Sequence, residues 1–136
     1  ALLTLLLAVF GGMLLNAVLK IAFNRHRPSF NDSVGHLASY SFPSGHTMAA
    51  TVLYGALAAF AIHQLKDWRW RVLSVLLASL MIILIGFSRI YLGAHYLSDV
   101  LAASAEGLAW LALTLTAVET IRRRKQVLKT ASASGS

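Results

Sequence analysis

Four long apolar segments restrict the possible folds of this chain more than any other feature of its sequence. They are Leu2–Phe23, Thr47–Leu65, Val72–Phe87 and Tyr96–Ile121. A helix needs roughly 20 residues, within a range of about 17–25, to cross the hydrocarbon of a bilayer. Only helices and closed barrels satisfy their backbone hydrogen bonds in lipid, and no segment alternates polar and apolar residues as barrel strands do. We therefore predict an all-α fold, a transmembrane bundle of four spanning helices.

The composition supports a membrane protein. Hydrophobic residues make up 57% of the chain and charged residues only 12%, whereas soluble domains carry about a quarter charged residues. The net charge of +7 suggests nucleic acid as a possible partner. We exclude it because eight of the twelve Lys and Arg residues lie in Lys66–Arg71 and Arg122–Lys129, next to apolar segments, as membrane anchors do. The chain has no cysteine, which excludes disulfides, thiolate metal sites and cysteine nucleophiles.

The basic residues also predict the orientation of the bundle. Because four helices alternate in direction, the first and third connections share one face, and Lys66–Arg71 and the tail share the other. Eight Lys and Arg residues mark the second face, against four near the first, so the positive-inside rule places the second face in the cytoplasm. The expected location is a plasma membrane or bacterial inner membrane. We expect residues 1–130 to form one membrane-embedded domain and residues 131–136 to be a disordered tail.

The unusual polar residues form three clusters, which this topology places together at the outer face. The clusters are Lys20 with Arg27-Pro28, then Pro43-Ser44-Gly45-His46, and finally Ser88-Arg89 with His95 and Asp99. Charged residues at the edge of the hydrocarbon are costly and usually mark function. The clusters therefore predict one site on the extracytoplasmic side.

The cations of these clusters predict anion binding. Lys20, Arg27 and Arg89 repel one another unless an anion lies between them, and both residue types bind phosphate oxygens. Ser44 is a favourable N-cap for a helix that begins at about Gly45, and backbone N–H groups at a helix start attract anions. The same cations would repel a divalent metal ion, so we predict no metal site and no cofactor.

The third cluster suggests nucleophilic chemistry. His95 and Asp99 are four residues apart and share one helical face if the helix begins near His95. Asp99 can then hold one imidazole nitrogen and leave the other aimed outward, in position to attack phosphorus. His46, from a different helix, can protonate the leaving oxygen.

Together, the three clusters resemble the signature of the type 2 phosphatidic acid phosphatase superfamily. That superfamily includes lipid phosphate phosphatases, undecaprenyl pyrophosphate phosphatases, phosphatidylglycerophosphate phosphatases and vanadium haloperoxidases. All eleven fixed letters are present, in order and with matching spacing: Lys20, Arg27, Pro28, Pro43, Ser44, Gly45, His46, Ser88, Arg89, His95 and Asp99. Integral-membrane members usually have six spanning helices, so the resemblance implies that this chain is the C-terminal part of that fold.

The resemblance also implies roles for these residues in a metal-independent phosphoric ester or diphosphate hydrolase. His95 is the nucleophile that forms a phosphohistidine, Asp99 orients it, and His46 is the general acid. The residues implied to hold the phosphoryl oxygens are Lys20, Arg27, Ser44, Gly45 and Arg89.

Three hypotheses for the function follow. The first is a lipid phosphate phosphatase acting on phosphatidate, phosphatidylglycerophosphate or a polyprenyl diphosphate, with the choice of lipid and the oligomeric state left open. The second is a vanadate-dependent haloperoxidase, which the apolar composition disfavours because those enzymes are soluble. The third is a non-catalytic fragment that binds lipid phosphates.

Several other residues receive structural interpretations. Arg25 is expected to be a helix-end anchor whose side chain snorkels to the membrane surface. Glu106, within a span, is expected to be protonated or to pair within the bundle, with a proton relay as an alternative. The Gly11-Gly12 pair is expected at a close helix contact. The histidines expected to lie outside the site are His26, His36 and His63.

Overall fold

The bundle consists of four long helices joined by connections at its two ends. The structure, a computed structural model, describes residues 2–26 and 40–134. Its helices are α1 (Leu2–Phe23), α2 (Gly45–Gln64), α3 (Trp68–Tyr91) and α4 (Leu97–Ser134). All four are long and apolar enough to cross a membrane. The predicted all-α fold with four spanning helices is confirmed.

The helix boundaries differ from the predicted apolar segments in α3 and at the end of α4. Helix α3 begins at Trp68 rather than Val72, ends at Tyr91 rather than Phe87, and has 24 residues. The earlier start has a local cause, because the Asp67 carboxylate accepts a hydrogen bond from the Arg69 backbone N–H at 3.0 Å. That contact caps the helix start. At the other end of the chain, α4 continues to Ser134, past residue 130, so the predicted boundary between domain and tail stays a prediction.

The helices pack through small residues. Helix α2 contacts the other three helices, and α4 also contacts α1. A Cβ atom added to Gly11 would lie 2.6 Å from Cζ2 of Trp110, and the Trp110 indole N–H donates to the Ala8 carbonyl at 2.8 Å. The expected close contact at Gly11-Gly12 is therefore confirmed, since a larger side chain would separate α1 from α4.

The outer surface of the bundle is apolar. Large side chains such as Leu14, Ile21 and Ile83 are more than half exposed. Exposed apolar residues along the whole length of a helix are typical of a surface that faces lipid, since lipid tails are as apolar as these side chains. The chain is an integral membrane protein.

Two close contacts show which helix ends lie together. The backbone N–H of Ser44, just before α2, donates to the carbonyl of Asp99 in the first turn of α4 at 3.1 Å. A Cβ atom added to Gly86, near the end of α3, would lie 2.7 Å from Val100. The end of α3 therefore meets the starts of α2 and α4. We call this the polar end of the bundle, which comprises residues 20–26, 41–47 and 88–99.

Candidate active site

Lys20, from the first sequence cluster, meets the second cluster at the polar end. Lys20 lies in the last turn of α1, and its ammonium group donates to the Tyr40 carbonyl at 2.9 Å. A Cβ atom added to Gly45 would lie 3.8 Å from Cε of Lys20 and 3.3 Å from Oδ1 of Asn16. The absence of a side chain at Gly45 therefore lets the start of α2 lie directly against the end of α1.

The start of α2 has the predicted position but a different capping arrangement. Ser44 is the N-cap residue and its backbone is extended, yet its side chain makes no capping hydrogen bond. Instead, its buried hydroxyl accepts a hydrogen bond from Oγ1 of Thr47 at 3.1 Å. The side chain of His46, in the first turn of α2, is exposed. This helix start presents the positive end of a helix dipole beside Lys20.

His95 and Asp99 lie next to each other but not on one helix. Helix α4 begins at Leu97, so His95 precedes it, and the shared helical face that was expected for a helix beginning near His95 does not form. Asp99 itself sets this boundary, because its Oδ2 accepts from the Tyr96 backbone N–H at 2.9 Å. A side chain that reaches back to the N-cap amide in this way is one half of a capping box.

The contact between the two residues is nevertheless present. Nδ1 of His95 lies 3.5 Å from Oδ2 of Asp99, and their side chains are only 3% and 0% exposed. The carboxylate therefore lies on the Nδ1 side of the imidazole ring.

Arg25 is a partner of Asp99, so the prediction that its side chain snorkels to the membrane surface was wrong. Its Nη1 donates to Oδ1 of Asp99 at 2.9 Å and to Oγ of Ser98 at 2.8 Å. Its guanidinium also lies 4.4 Å from the centroid of the Tyr96 ring. Arg25 is therefore turned towards the start of α4 and does not snorkel, because a buried carboxylate offers it a charged partner.

Ser41 is a second partner of Asp99, and no sequence motif selects it. The residue is fully buried, and its hydroxyl donates to Oδ2 of Asp99. Its backbone N–H donates to the Arg25 carbonyl at 2.8 Å. A small polar residue two positions before Pro43 was the available signal, although a single serine in a loop is too common to indicate a contact.

Arg89 lies at the same end of the bundle, just before the turn that follows α3. It lies in the last turn of α3, and its Nε donates to Oγ of Ser88 at 3.3 Å. Gly93 has a positive φ of 65°, which glycine adopts without steric cost. This turn lets the Ala94 N–H donate to the Arg89 carbonyl at 3.1 Å. Arg89 is therefore separated from His95 by one compact turn.

Glu106 belongs to a contact one level deeper in the bundle. Its Oε2 accepts a hydrogen bond from Nδ2 of Asn16 at 3.0 Å, which links α4 to α1. The expectation that Glu106 pairs within the bundle is confirmed. Across the part of the chain that the structure describes, no three His, Cys, Asp or Glu side chains are grouped so that they could hold a metal ion.

The predicted site residues and the histidines expected outside the site thus divide into three groups. The structure brings His95 against Asp99, and Gly45 against Lys20, and it places Ser44, His46 and Arg89 at the same end. Arg27, Pro28 and His36 lie outside the described residues. His26 is exposed next to the undescribed segment, and His63 lies at the opposite end, in the last turn of α2. The catalytic and phosphate-binding roles of the site residues stay predictions.

Comparison with protein families gives a match over most of the chain. The model of the PAP2 superfamily matches residues 1–123. Phosphatidylglycerophosphatase B of Bacillus subtilis is 40% identical over 124 residues, which is 90% of this chain and 61% of that protein. A lipid A 1-phosphatase of Rhizobium johnstonii is 43% identical over 119 residues, which is 81% of this chain and 43% of that protein. The chain thus spans about three fifths of the first relative and less of the second.

A solved structure gives the same result for the fold. The crystal structure of a transmembrane PAP2 type phosphatidylglycerolphosphate phosphatase from Bacillus subtilis superposes with a TM-score of 0.79 at 37% sequence identity. The match covers 88% of this chain and 59% of that one. The four helices and the polar end that they form therefore correspond to a part of a larger transmembrane fold.

Proposed function

Since this chain belongs to the PAP2 superfamily, we propose that the protein is a lipid phosphate phosphatase that acts through a phosphohistidine intermediate. The observation that carries the proposal is the buried pair of His95 and Asp99, whose side chains lie 3.5 Å apart. This pair lies at the same end of the bundle as Lys20 and the start of α2. An oriented imidazole beside groups that attract anions is suited to attack on a phosphoryl group.

The first step transfers the phosphoryl group to His95. Asp99 lies beside Nδ1, so Nε2 attacks phosphorus, a P–N bond forms and the bond between phosphorus and the lipid oxygen breaks. Asp99 stabilises the positive charge that develops on the imidazole. His46, which is exposed in the first turn of α2, gives its proton to the leaving oxygen.

The second step returns the site to its starting state. Water attacks phosphorus and gives a proton to His46, the P–N bond breaks, and inorganic phosphate leaves. Lys20, Arg27, Arg89 and the backbone N–H groups near Gly45 hold the phosphoryl oxygens through both steps. Three cations and a helix start supply the charge stabilisation that a metal ion provides in other phosphatases, so the reaction is proposed to be metal-independent.

The proposed substrate is a phosphorylated membrane lipid whose phosphate lies at the level of the polar end. Phosphatidylglycerophosphate is the first candidate, because the named relative of Bacillus subtilis is 40% identical over 90% of this chain. The 1-phosphate of lipid A is the second, because the Rhizobium johnstonii relative is 43% identical. The basic segments at the opposite end favour an active site on the extracytoplasmic side.

The test is release of inorganic phosphate from each lipid in detergent, in the presence of EDTA. We expect the wild-type protein to release phosphate and His95→Ala to lose at least about 10³-fold in kcat, because removal of a nucleophile abolishes the chemical route. His63→Ala is the matched control, since His63 is exposed at the opposite end of α2, and it should keep wild-type activity.

Three results would contradict the proposal. Undiminished activity in His95→Ala would remove the nucleophile. Complete dependence on a divalent metal ion would remove the metal-independent route. Tight lipid binding by the wild-type protein with no phosphate release would favour the non-catalytic alternative.

A further inference from the structure

The Asp99 carboxylate is held by more donors than its contact with His95 requires. Oδ1 accepts from Arg25, and Oδ2 accepts from the Ser41 hydroxyl and the Tyr96 backbone N–H. These donors come from three segments that are far apart in sequence. The carboxylate is 0% exposed, so the protein itself has to supply all of its hydrogen bonds.

These donors determine which carboxylate oxygen faces His95. The terminal torsion of an aspartate side chain has a broad energy profile, so packing alone does not fix the rotation of the carboxylate. Arg25 binds one oxygen, and Ser41 and Tyr96 bind the other. The oxygen on the Ser41 side is the one that lies 3.5 Å from Nδ1 of His95.

Arg25 is itself held in place by three contacts. Its guanidinium donates to Ser98 at 2.8 Å and lies over the Tyr96 ring at 4.4 Å. Its carbonyl accepts from the Ser41 N–H at 2.8 Å. A planar guanidinium can stack and donate in two directions at once, which a lysine ammonium cannot reproduce.

The path of the chain after α1 makes these contacts possible. Asn24 has a positive φ of 47°, and its N–H donates to the Lys20 carbonyl at 3.0 Å. Asparagine is one of the few residues other than glycine that tolerate this conformation. It ends α1 and turns the chain, so that Arg25 extends over the start of α4.

We infer that Arg25 and Ser41 are positioning residues that hold Asp99 in the rotation that orients His95, an inference that rests on the proposed function. In this arrangement Arg25 binds the carboxylate of Asp99, whereas Lys20, Arg27 and Arg89 bind the phosphate. Loss of either positioning residue should slow the attack by His95, because a misaligned nucleophile loses rate even when substrate still binds.

A double-mutant cycle separates this role from direct phosphate binding. The variants are Arg25→Gln, Asp99→Asn and the double variant, assayed for phosphate release from phosphatidylglycerophosphate. We expect Arg25→Gln to lower kcat by about 10- to 100-fold, as coupled neighbouring residues do, with KM changed less than about twofold. In the Asp99→Asn background the same change should alter kcat by less than about threefold, because Arg25 would have no aspartate to hold.

Further variants provide controls. Ser41→Ala should follow the same pattern as Arg25→Gln, and Arg25→Lys should restore only part of the rate because it keeps the charge but loses the stacking. Ser98→Ala removes one of the three contacts that hold Arg25 and should therefore lower kcat less than Arg25→Gln does. Thermal unfolding in detergent shows which variants are folded, and the inference can be tested on either positioning residue alone.

The outcomes distinguish the inference from the function on which it rests. If Arg25→Gln lowered kcat/KM equally in both backgrounds, and did so through a higher KM, Arg25 would bind phosphate. That result would overturn the inference alone. Unchanged kcat in both Arg25→Gln and Ser41→Ala would also overturn it. Failure of the wild-type protein to release phosphate would overturn the proposed function and the inference together.

Discussion

At the scale of single residues, the two histidines of the site differ in their surroundings. His95 is buried beside a carboxylate and His46 is exposed. A nucleophile that forms a covalent bond benefits from a fixed orientation, whereas a residue that exchanges protons with the leaving group and with water needs access to both. The two environments match the roles proposed for the two residues.

The role of His46 predicts a dependence on the leaving group. His46→Ala should lower the rate of alcohol release from a lipid phosphate by about 10²- to 10⁴-fold, the usual contribution of general acid catalysis. p-Nitrophenol leaves without needing a proton, so release of p-nitrophenol in the first turnover should fall by less than about 10-fold. Stopped-flow measurement of this first turnover isolates the step.

The exposed His26 provides the control for this experiment, since it lies at the same end of the bundle. His26→Ala should leave both rates unchanged. If His46→Ala lowered the rates for both substrates equally, His46 would act in binding or in structure rather than as the proton donor.

Contacts of single side chains were also the feature that the sequence predicted least well. His95, Asp99, Ser44 and Gly45 could be selected because spacing and residue type together indicate a phosphoryl site. Arg25 could not, since an arginine after an apolar helix has the same local pattern whether it snorkels or binds a carboxylate. Only the turn at Asn24, with its φ of 47°, directs it towards Asp99.

At the scale of helices, both ends and packing faces contribute to the site. Hydropathy predicted α1 with the observed bounds, but it placed the start of α3 four residues late, because the basic residues before Val72 resembled a turn. It placed the start of α4 too early, at Tyr96 rather than Leu97. In both cases an aspartate that accepts from a nearby backbone N–H sets the boundary. Capping signals therefore locate helix ends better than hydropathy does.

The contact between α2 and α4 predicts contrasting effects of two glycine substitutions. A Cβ atom at Gly107 would lie 2.8 Å from Cβ of Thr51 and 3.2 Å from the Met48 carbonyl oxygen, neither of which can move alone. Gly107→Ala should therefore cost about 1–3 kcal/mol and lower the unfolding temperature in detergent by several degrees, roughly 4–8 °C per kcal/mol in small domains.

The control is Gly55→Ala on the opposite side of the same contact. Among the described residues, its Cβ would meet only Cδ2 of Leu111, at 2.7 Å, and the end of a leucine side chain can rotate away. Alanine also favours helix by about 1 kcal/mol over glycine, so the unfolding temperature should stay within about 2 °C of the wild-type value. Equal destabilisation by both substitutions would contradict the packing described for α2 and α4.

At the scale of the whole molecule, the up-and-down order of four helices is what assembles the site. Residues near positions 20, 45, 89 and 95 are separated along the chain by three connections and two complete spans. They reach one end because successive membrane helices alternate in direction. Counting apolar segments was enough to predict this arrangement, and the contact between Ser44 and Asp99 at 3.1 Å confirms it. Hydropathy carries no information on side-chain contacts within that end, and the position of Arg27 lies outside the described residues.

The most direct test of the account is to identify the residue that becomes phosphorylated. The His46→Ala variant, which lacks the group proposed to activate water, is incubated with p-nitrophenyl phosphate carrying ³²P, whose leaving group needs no proton from His46. The reaction is quenched in base, where phosphohistidine is stable. Peptide mapping should place the label on His95, and a variant that also carries His95→Ala should have none. Label on another residue, or phosphate release with no labelled protein at any time during the first turnover, would contradict the account.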